Sequence, residues 1–431
     1  MKLHRFIYML PFHNNKTLFF NGTTSRFFIV NSNKANIYSS ILSAPEKYLD
    51  VIEEENVNIL KEGGFWIENN TDEISEIKKK RERYSNRPIY KTAIVSTYDC
   101  NYRCWYCTQK HEKAVLSKEK LELIKKHVTT YLKENDIKVY VLSWFGGEPL
   151  MEPQTIEDLS SYLLQYCKEH GVRFVGSITT NAALLMHETI EMLKRVGVNH
   201  YQITIDGSSR THDKIKYDDI HESTFRLTLG NIVDLLQTNL QACVTLRINY
   251  TPKTLTDDEL LPELNAAIPQ ELRHRIKIDL QKVWQIDEER ISMDALIGLQ
   301  HGLAESGYKF FTEGVFAPCY VDMKHYNMLY YNGKVGKCGN NSLSELRGHL
   351  DEDGRIVWEE RPEFMDIDIL AENSPCRDCQ YFPLCNGGCP ARRTKAMLDR
   401  SKCRLAESDS LFEHRILDYC WRVIHNEHIT V

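Results

Sequence analysis

Apolar and polar positions change rhythm along this chain of 431 residues. From Ile89 to about Gly307, short apolar runs alternate with amphipathic stretches six times. The runs Lys91–Thr97, Val139–Phe145, Arg173–Thr180, Tyr201–Asp206, Cys243–Tyr250 and Lys277–Val283 have strand length. Between the first two, Leu121, Ile124, Val128 and Leu132 share one face of a helix predicted over Lys118–Lys133. Strands alternating with helices of several turns predict parallel βαβ units. Six of them predict an α/β architecture, either a partial barrel or a doubly wound sheet. In both, ligands gather at the carboxyl ends of the strands.

The flanks have a different pattern. Thr17–Phe20 and Arg26–Val30 bracket Asn21-Gly22-Thr23-Thr24-Ser25, a hairpin signal with a glycine in the loop. Helices are predicted near 32–43 and 45–63, ending at Gly63-Gly64 before the short run Phe65-Trp66-Ile67. The charged run from Ile74 to Arg83 reads as a solvated helix or linker. The last 115 or so residues are loop-rich. The predicted domains are therefore 1–75, a linker 76–88, the βα region 89–310 and a C-terminal region 311–431.

Composition narrows the class. The charged fraction is 26% and the net charge is −6, which offers no basic stripe for a nucleic-acid backbone. No apolar run approaches the roughly 20 residues that cross a bilayer. The start has a short apolar stretch but no small-residue cleavage site, so it does not read as a signal peptide. Thirteen cysteines without an export signal point to a reducing cytoplasm and to metal ligation, not to disulfides. They are unevenly placed: three fall at 100–107 and seven at 319–403. The isolated Cys167, Cys243 and Cys420 are expected to be small buried hydrophobes.

Cys100, Cys104 and Cys107 stand as Cys-x3-Cys-x2-Cys just after the first predicted strand, with Tyr106 before the last. Three thiolates on one tight loop can hold three irons of a [4Fe–4S] cube and leave the fourth open for a small molecule. A zinc knuckle would need a fourth ligand, for which His111 is the only nearby candidate. Gly146-Gly147-Glu148-Pro149 follows the second strand and Ile205-Asp206-Gly207 the fourth.

These three stretches together resemble the radical S-adenosylmethionine (AdoMet) enzymes. The resemblance implies a partial (β/α)6 barrel whose open iron chelates the methionine part of AdoMet. One electron then yields a 5′-deoxyadenosyl radical that removes a substrate hydrogen. It further implies that Gly146, Gly147, Glu148 and Pro149, together with Tyr106, line the cofactor. Glycine admits a close backbone approach, and Glu148 offers an acceptor for an ammonium. Thr180-Asn181 resembles the family's Thr-Asn-Gly stretch, with Ala182 in place of the glycine. Arg247 is a candidate for the cofactor carboxylate or for a structural salt bridge, and Asp279 a candidate general base.

A second resemblance lies in the C-terminal cysteines. Cys319-x13-Gly333-x4-Cys338, then Cys376-x2-Cys379-x5-Cys385-x3-Cys389 and Cys403, is similar to the SPASM extension of peptide-modifying radical enzymes. It implies two auxiliary [4Fe–4S] clusters, three in all. Cys376, Cys379, Cys385 and Cys403 would ligate the outer one, and Cys319, Cys338 and Cys389 the inner one. Some relatives have a further cysteine where this chain has His325, which is either a ligand or a solvated surface residue. The segment 1–75 resembles the winged-helix domains that capture a leader peptide as an added edge strand. The combined expectation is a maturase that crosslinks a ribosomally made precursor peptide, reduced by a flavodoxin- or ferredoxin-type donor. Its rivals are oxidation of Cys or Ser to formylglycine, as in sulfatase-activating relatives, and a non-catalytic iron–sulfur or zinc protein.

Overall fold

The structure is a computed structural model. It describes residues 1–109, 111–283, 285–286, 292–313, 316–339, 346–372, 374–390, 393 and 409–427. The chain forms two compact units: 1–87 with 312–324 and 362–431, and 88–311 with 325–361. These boundaries differ from those read in the sequence, for two physical reasons. The segments Tyr326–Tyr330, Lys334–Gly336, Gly348–Leu350 and Ile356–Trp358 hydrogen-bond into the sheet of the second unit, and the presumed linker is a packed helix of the first.

In the first unit the strands are β1 (Lys2–Leu3), β2 (Ile7–Phe12), β3 (Lys16–Asn21), β4 (Phe27–Asn31) and β5 (Trp66–Ile67). β2, β3 and β4 form an antiparallel sheet, and β1 pairs with β5. The β3–β4 hairpin is the expected one. β2 was not anticipated, because Pro11 lies in its pattern, and an edge strand tolerates a proline. Asn14 and Asn15, both at positive φ, make the turn that joins it to β3. One face of the sheet packs Phe19 against Leu42, Val57, Leu60 and Phe65. The other packs Leu10, Leu18 and Phe20 against Tyr381, Leu384, Phe412, Ile416 and Cys420. The charged run forms the helix Glu73–Ser85, capped by Asp72, whose carboxylate accepts from the N–H groups of Ile74 and Ser75. Its apolar stripe, Ile74 and Ile77, is buried with Phe6, Ile369, Leu370 and Phe382.

The strands of the second unit are β6 (Ile89–Val95), β7 (Val139–Phe145), β8 (Arg173–Thr180), β9 (Val198–Asp206), β10 (Cys243–Tyr250), β11 (Ile276–Lys282), β12 (Lys309–Phe310), β13 (Tyr326–Tyr330), β14 (Lys334–Gly336), β15 (Gly348–Leu350) and β16 (Ile356–Trp358). Together they make one open sheet in the order β12-β11-β10-β9-β8-β7-β6-β13-β14-β15-β16. β6 to β11 lie in sequential order, every neighbouring pair parallel. The fold is thus α/β with a large parallel sheet. All four apolar residues read on the helix Lys118–Glu134 are buried.

A parallel sheet covered on both faces reads as continuous apolar runs, and this one does not. Along β10, Val244, Leu246, Ile248 and Tyr250 are buried, while Thr245, Arg247 and Asn249 occupy the other face. In register with them stand Gln202, Thr204 and Asp206 of β9 and Lys277, Asp279 and Gln281 of β11. One face therefore carries a polar field that ends at the strand carboxyl termini. Two side expectations need correction. Cys167 and Cys420 are buried, but Cys243, the first residue of β10, is exposed. His325 is not a solvated surface residue. It is 6% exposed, with Nδ1 2.8 Å from the Tyr131 hydroxyl.

Candidate active site

The cysteine loop leaves β6 through Thr97 and Asp99, and local hydrogen bonds shape its start. The Thr97 hydroxyl donates to the Ala114 carbonyl and accepts from the Asp99 N–H, and the Asp99 carboxylate accepts from the Cys100 N–H. Further on, the Tyr102 N–H points at Cys100 Sγ and the Gln109 N–H at Cys107 Sγ, each at 3.4 Å. Such N–H···S contacts favour thiolates. Burial acts the other way, pushing the Cys100 thiol up to about 12 and raising Cys104 as well. A bound cation would offset that burial by favouring the deprotonated thiols.

The loop after β7 lies against this start. The Gly147 N–H donates to the Thr97 carbonyl (3.0 Å) and the Glu148 N–H to the Asp99 carbonyl (2.8 Å). A Cβ on Gly146, whose φ is +137°, would meet the Thr97 carbonyl oxygen at 2.4 Å. One on Gly147 would meet that of Asp99 at 2.0 Å. The two glycines thus permit backbone-to-backbone contact with the cysteine loop, a reason the sequence did not disclose.

Glu148 is fully buried. Oε1 accepts from the Thr180 hydroxyl (2.7 Å) and the Leu150 N–H (3.0 Å), and Oε2 from the Asn181 N–H (2.8 Å). Burial pushes its carboxyl up to about 7, against the pull of those three donors. Three donors leave about one lone-pair site for a ligand ammonium. Glu148 therefore ties the end of β7 to the end of β8, whatever it contributes to a ligand. The Asn181 amide donates to the Asn101 side-chain oxygen at 2.7 Å. Ala182 adopts φ +63°, the left-handed region that explains why glycine is favoured at that position.

Asp206, Lys216 and Asn249 escaped notice as one group because they lie on separate elements. Lys216 is buried in an ion pair with Asp206. Burial pushes its ammonium down, but Asp206, Tyr106 and Cys104 outweigh that and hold it above the lysine range. The Tyr106 hydroxyl donates to Asp206 at 2.6 Å and accepts from Lys216 and Asn249, each at 3.0 Å. Arg247 and Asp279 are opposite one another in register and pair at 2.9 Å, and Gln281 donates to the other Asp279 oxygen. The proposed carboxylate ligand and the proposed base are thus each other's partners.

Residues 94–275 match the Radical SAM superfamily. That span is a radical SAM domain. AdoMet and a [4Fe–4S] cluster are its cofactors. Cys100, Cys104 and Cys107 lie inside the matched span. The AdoMet-dependent heme synthase of Methanosarcina barkeri is 25% identical over 342 residues, 70% of this chain and 91% of that protein. The GTP 3′,8-cyclase of Sulfurovum is 26% identical over 50% of this chain and 60% of that protein. The serine-type anaerobic sulfatase-maturating enzyme of Bacteroides thetaiotaomicron is 29% identical over 32% of this chain and 34% of that protein. Among solved structures, anSMEcpe with bound AdoMet and Cp18Cys peptide superposes with a TM-score of 0.58 at 15% identity. It covers 80% of this radical SAM chain and 100% of its own.

The C-terminal cysteines divide between the units. Cys319, Cys376, Cys379, Cys385 and Cys389 belong to the first and Cys338 to the second, while Cys403 lies outside the described residues. Within the first unit the turn Cys385–Cys389 is pinned by Arg393, which is 5% exposed. Its guanidinium donates to the carbonyls of Asn386 (2.8 Å), Gly387 (3.2 Å) and Gly388 (3.2 Å) and to Asp322 (2.7 Å), which also pairs with Arg81. An arginine four residues after a cysteine carries no signal of its own, and sequence reading passed it over. Among the described residues no helix is long and apolar enough to cross a membrane.

Proposed function

We propose that this radical SAM enzyme is a maturase that forms an intrapeptide crosslink in a ribosomally made precursor peptide. The bond is a thioether or a carbon–carbon or carbon–oxygen macrocycle. The observation that carries the reading is the first unit, where a small sheet with strand edges at β2 and β4 shares a core with the segment bearing Cys379 and Cys385. An edge strand is a natural acceptor for an extended leader. The fold shared with a structure holding AdoMet and a peptide supports the same direction. The parallel-sheet domain by itself does not select a substrate, since relatives of similar identity are named for heme and GTP chemistry.

AdoMet held at the open iron supplies a 5′-deoxyadenosyl radical when bound. The chain's own residues orient it: Cys100, Cys104 and Cys107 hold the cluster, and Gly146, Gly147, Glu148, Pro149, Thr180, Asn181 and Tyr106 shape the cofactor pocket. In this reading Cys376, Cys379, Cys385 and Cys403 hold an outer auxiliary cluster. Cys319, Cys338 and Cys389 hold an inner one; if His325 is not its fourth ligand, an open iron there would favour a substrate thiolate and hence a thioether. A flavodoxin- or ferredoxin-type protein supplies electrons.

Oxidation of Cys or Ser to formylglycine is the second reading, favoured by the match to the sulfatase-maturating enzyme. The pairing of Asp279 with Arg247 weighs against Asp279 as its base. The test is to co-express the enzyme with short peptides encoded beside it and to read their masses and hydrazide reactivity. A crosslinked peptide loses hydrogen and stays unreactive, whereas formylglycine reacts. Peptides of unchanged mass in every pairing would overturn both readings.

A further inference from the structure

The cluster loop is anchored at its start by the backbone of Gly147 and Glu148, but its last cysteine has no such support. Cys107 is exposed, and the one described backbone bond of its N–H is to Cys104 within the same loop. Two ties reach this end from elsewhere, one through the side chain of its neighbour Tyr106 and one on that residue's carbonyl. The Tyr106 hydroxyl donates to Asp206 at the end of β9, and Lys216 and Asn249 donate to it. Asn249 also donates to Asp206 at 3.3 Å, closing the ring. The Asp206 N–H is in turn held 3.3 Å from His212 Nδ1. Gln285 donates to the Tyr106 carbonyl.

We propose that Tyr106, Asp206, Lys216 and Asn249 form a clasp, and that Tyr106 and Lys216 are positioning residues fixing the Cys107 end of the cluster loop to the strand ends. Three physical points support it. A phenylalanine would offer the same ring without any of these bonds, so the hydroxyl is what the network uses. The Lys216 and Asp206 side chains are 5% and 3% exposed. A buried ion pair is seldom worth more in stability than an apolar pair of the same shape, so its retention points to geometry. The clasp also joins elements about a hundred residues apart, from the loop after β6 to β9 and β10. The inference concerns where the cluster is held and stands whatever the substrate is.

The test compares full-length, anaerobically reconstituted wild type with Tyr106→Phe, Lys216→Met and Lys216→Arg. Tyr106→Phe is expected to fold and to take up wild-type iron. It should release iron from the three-cysteine site to bathophenanthroline disulfonate about tenfold faster, the lower end of what lost outer-shell partners cost a metal site. That phase is identified by its absence in the Cys100/Cys104/Cys107→Ala protein. The AdoMet KM should rise about tenfold with kcat changed much less. Lys216→Met should reproduce this and Lys216→Arg largely restore the wild-type rate. Wild-type iron release and AdoMet KM in a folded Tyr106→Phe protein would overturn the clasp, whatever its Tm. Tyr106→Phe decides alone if Lys216→Met does not fold.

Discussion

The Gly147 N–H donates to the Thr97 carbonyl at 3.0 Å, and with the Glu148 N–H on the Asp99 carbonyl this bond joins the glycine motif after β7 to the stem of the cysteine loop. A Cβ at 147 would sit 2.0 Å from the Asp99 carbonyl oxygen, which is backbone and cannot swing aside. Gly147→Ala is therefore expected to displace the loop stem and lower 5′-deoxyadenosine formation by at least about a hundredfold, the effect of a misplacement near 1 Å. Far-ultraviolet circular dichroism should remain unchanged. Near-normal turnover would show that the stem tolerates the shift.

Replacing Cys100, Cys104 and Cys107 together by Ala should abolish AdoMet cleavage. If two auxiliary cubes exist, about eight irons remain bound. Deoxyadenosine at the wild-type rate would refute the site, and an iron count near zero would refute the auxiliary clusters.

Glu148 makes stability depend on pH. Burial raises its carboxyl to about 7 in the folded chain, above the ordinary value near 4.5. The folded protein thus holds this proton more tightly than the unfolded chain. The contribution is fully present below about 4.5 and is lost as pH rises through about 7, an effect on the order of 3 kcal/mol. Glu148→Gln should flatten the fall in Tm between pH 5 and pH 7.5, even if its amide facing three donors lowers Tm throughout. Parallel Tm profiles for the two proteins would contradict this.

Arg393 is expected to be indispensable to the Cys385–Cys389 turn. Arg393→Ala strands three carbonyls, a loss of about 1–3 kcal/mol for each buried acceptor left unsatisfied, while Asp322 keeps Arg81. Arg393→Lys should recover little, because a point charge cannot span the fork of partners. Iron content in the presence of the Cys100/Cys104/Cys107→Ala background reads the effect, and full auxiliary iron in Arg393→Ala would count against it.

Deleting residues 1–75 should do more than weaken leader binding. Leu10, Leu18 and Phe20 belong to the core that buries Tyr381, Leu384 and Phe412, so the cut exposes that surface. Auxiliary iron should fall along with the affinity for a labelled leader, measured by fluorescence anisotropy. A truncated protein with full iron and unchanged affinity would make the sheet dispensable on both counts.

The sequence by itself determined the alternation of strands and helices along the chain, since apolar runs and helical stripes are local patterns that burial enforces, while the order of the strands in the sheet was left to the fold. It also determined the chemistry, because cysteine spacing along one loop is a one-dimensional property. Val139–Phe145, Arg173–Thr180 and Cys243–Tyr250 have the predicted bounds, and the hairpin around Gly22 falls where it was read. Only the tertiary structure decided the partners. That Gly147 faces the Asp99 backbone, that Glu148 bridges two strand ends, and that Arg247 meets Asp279 all depend on register between strands. Lys216 is one charge among 54 basic residues until folding buries it beside Tyr106, more than a hundred positions away. The two-unit division was hidden for the same reason. Burial of Ile74 and Ile77 needs Ile369 and Phe382, and no local signal in a charged helix announces a partner nearly three hundred residues downstream.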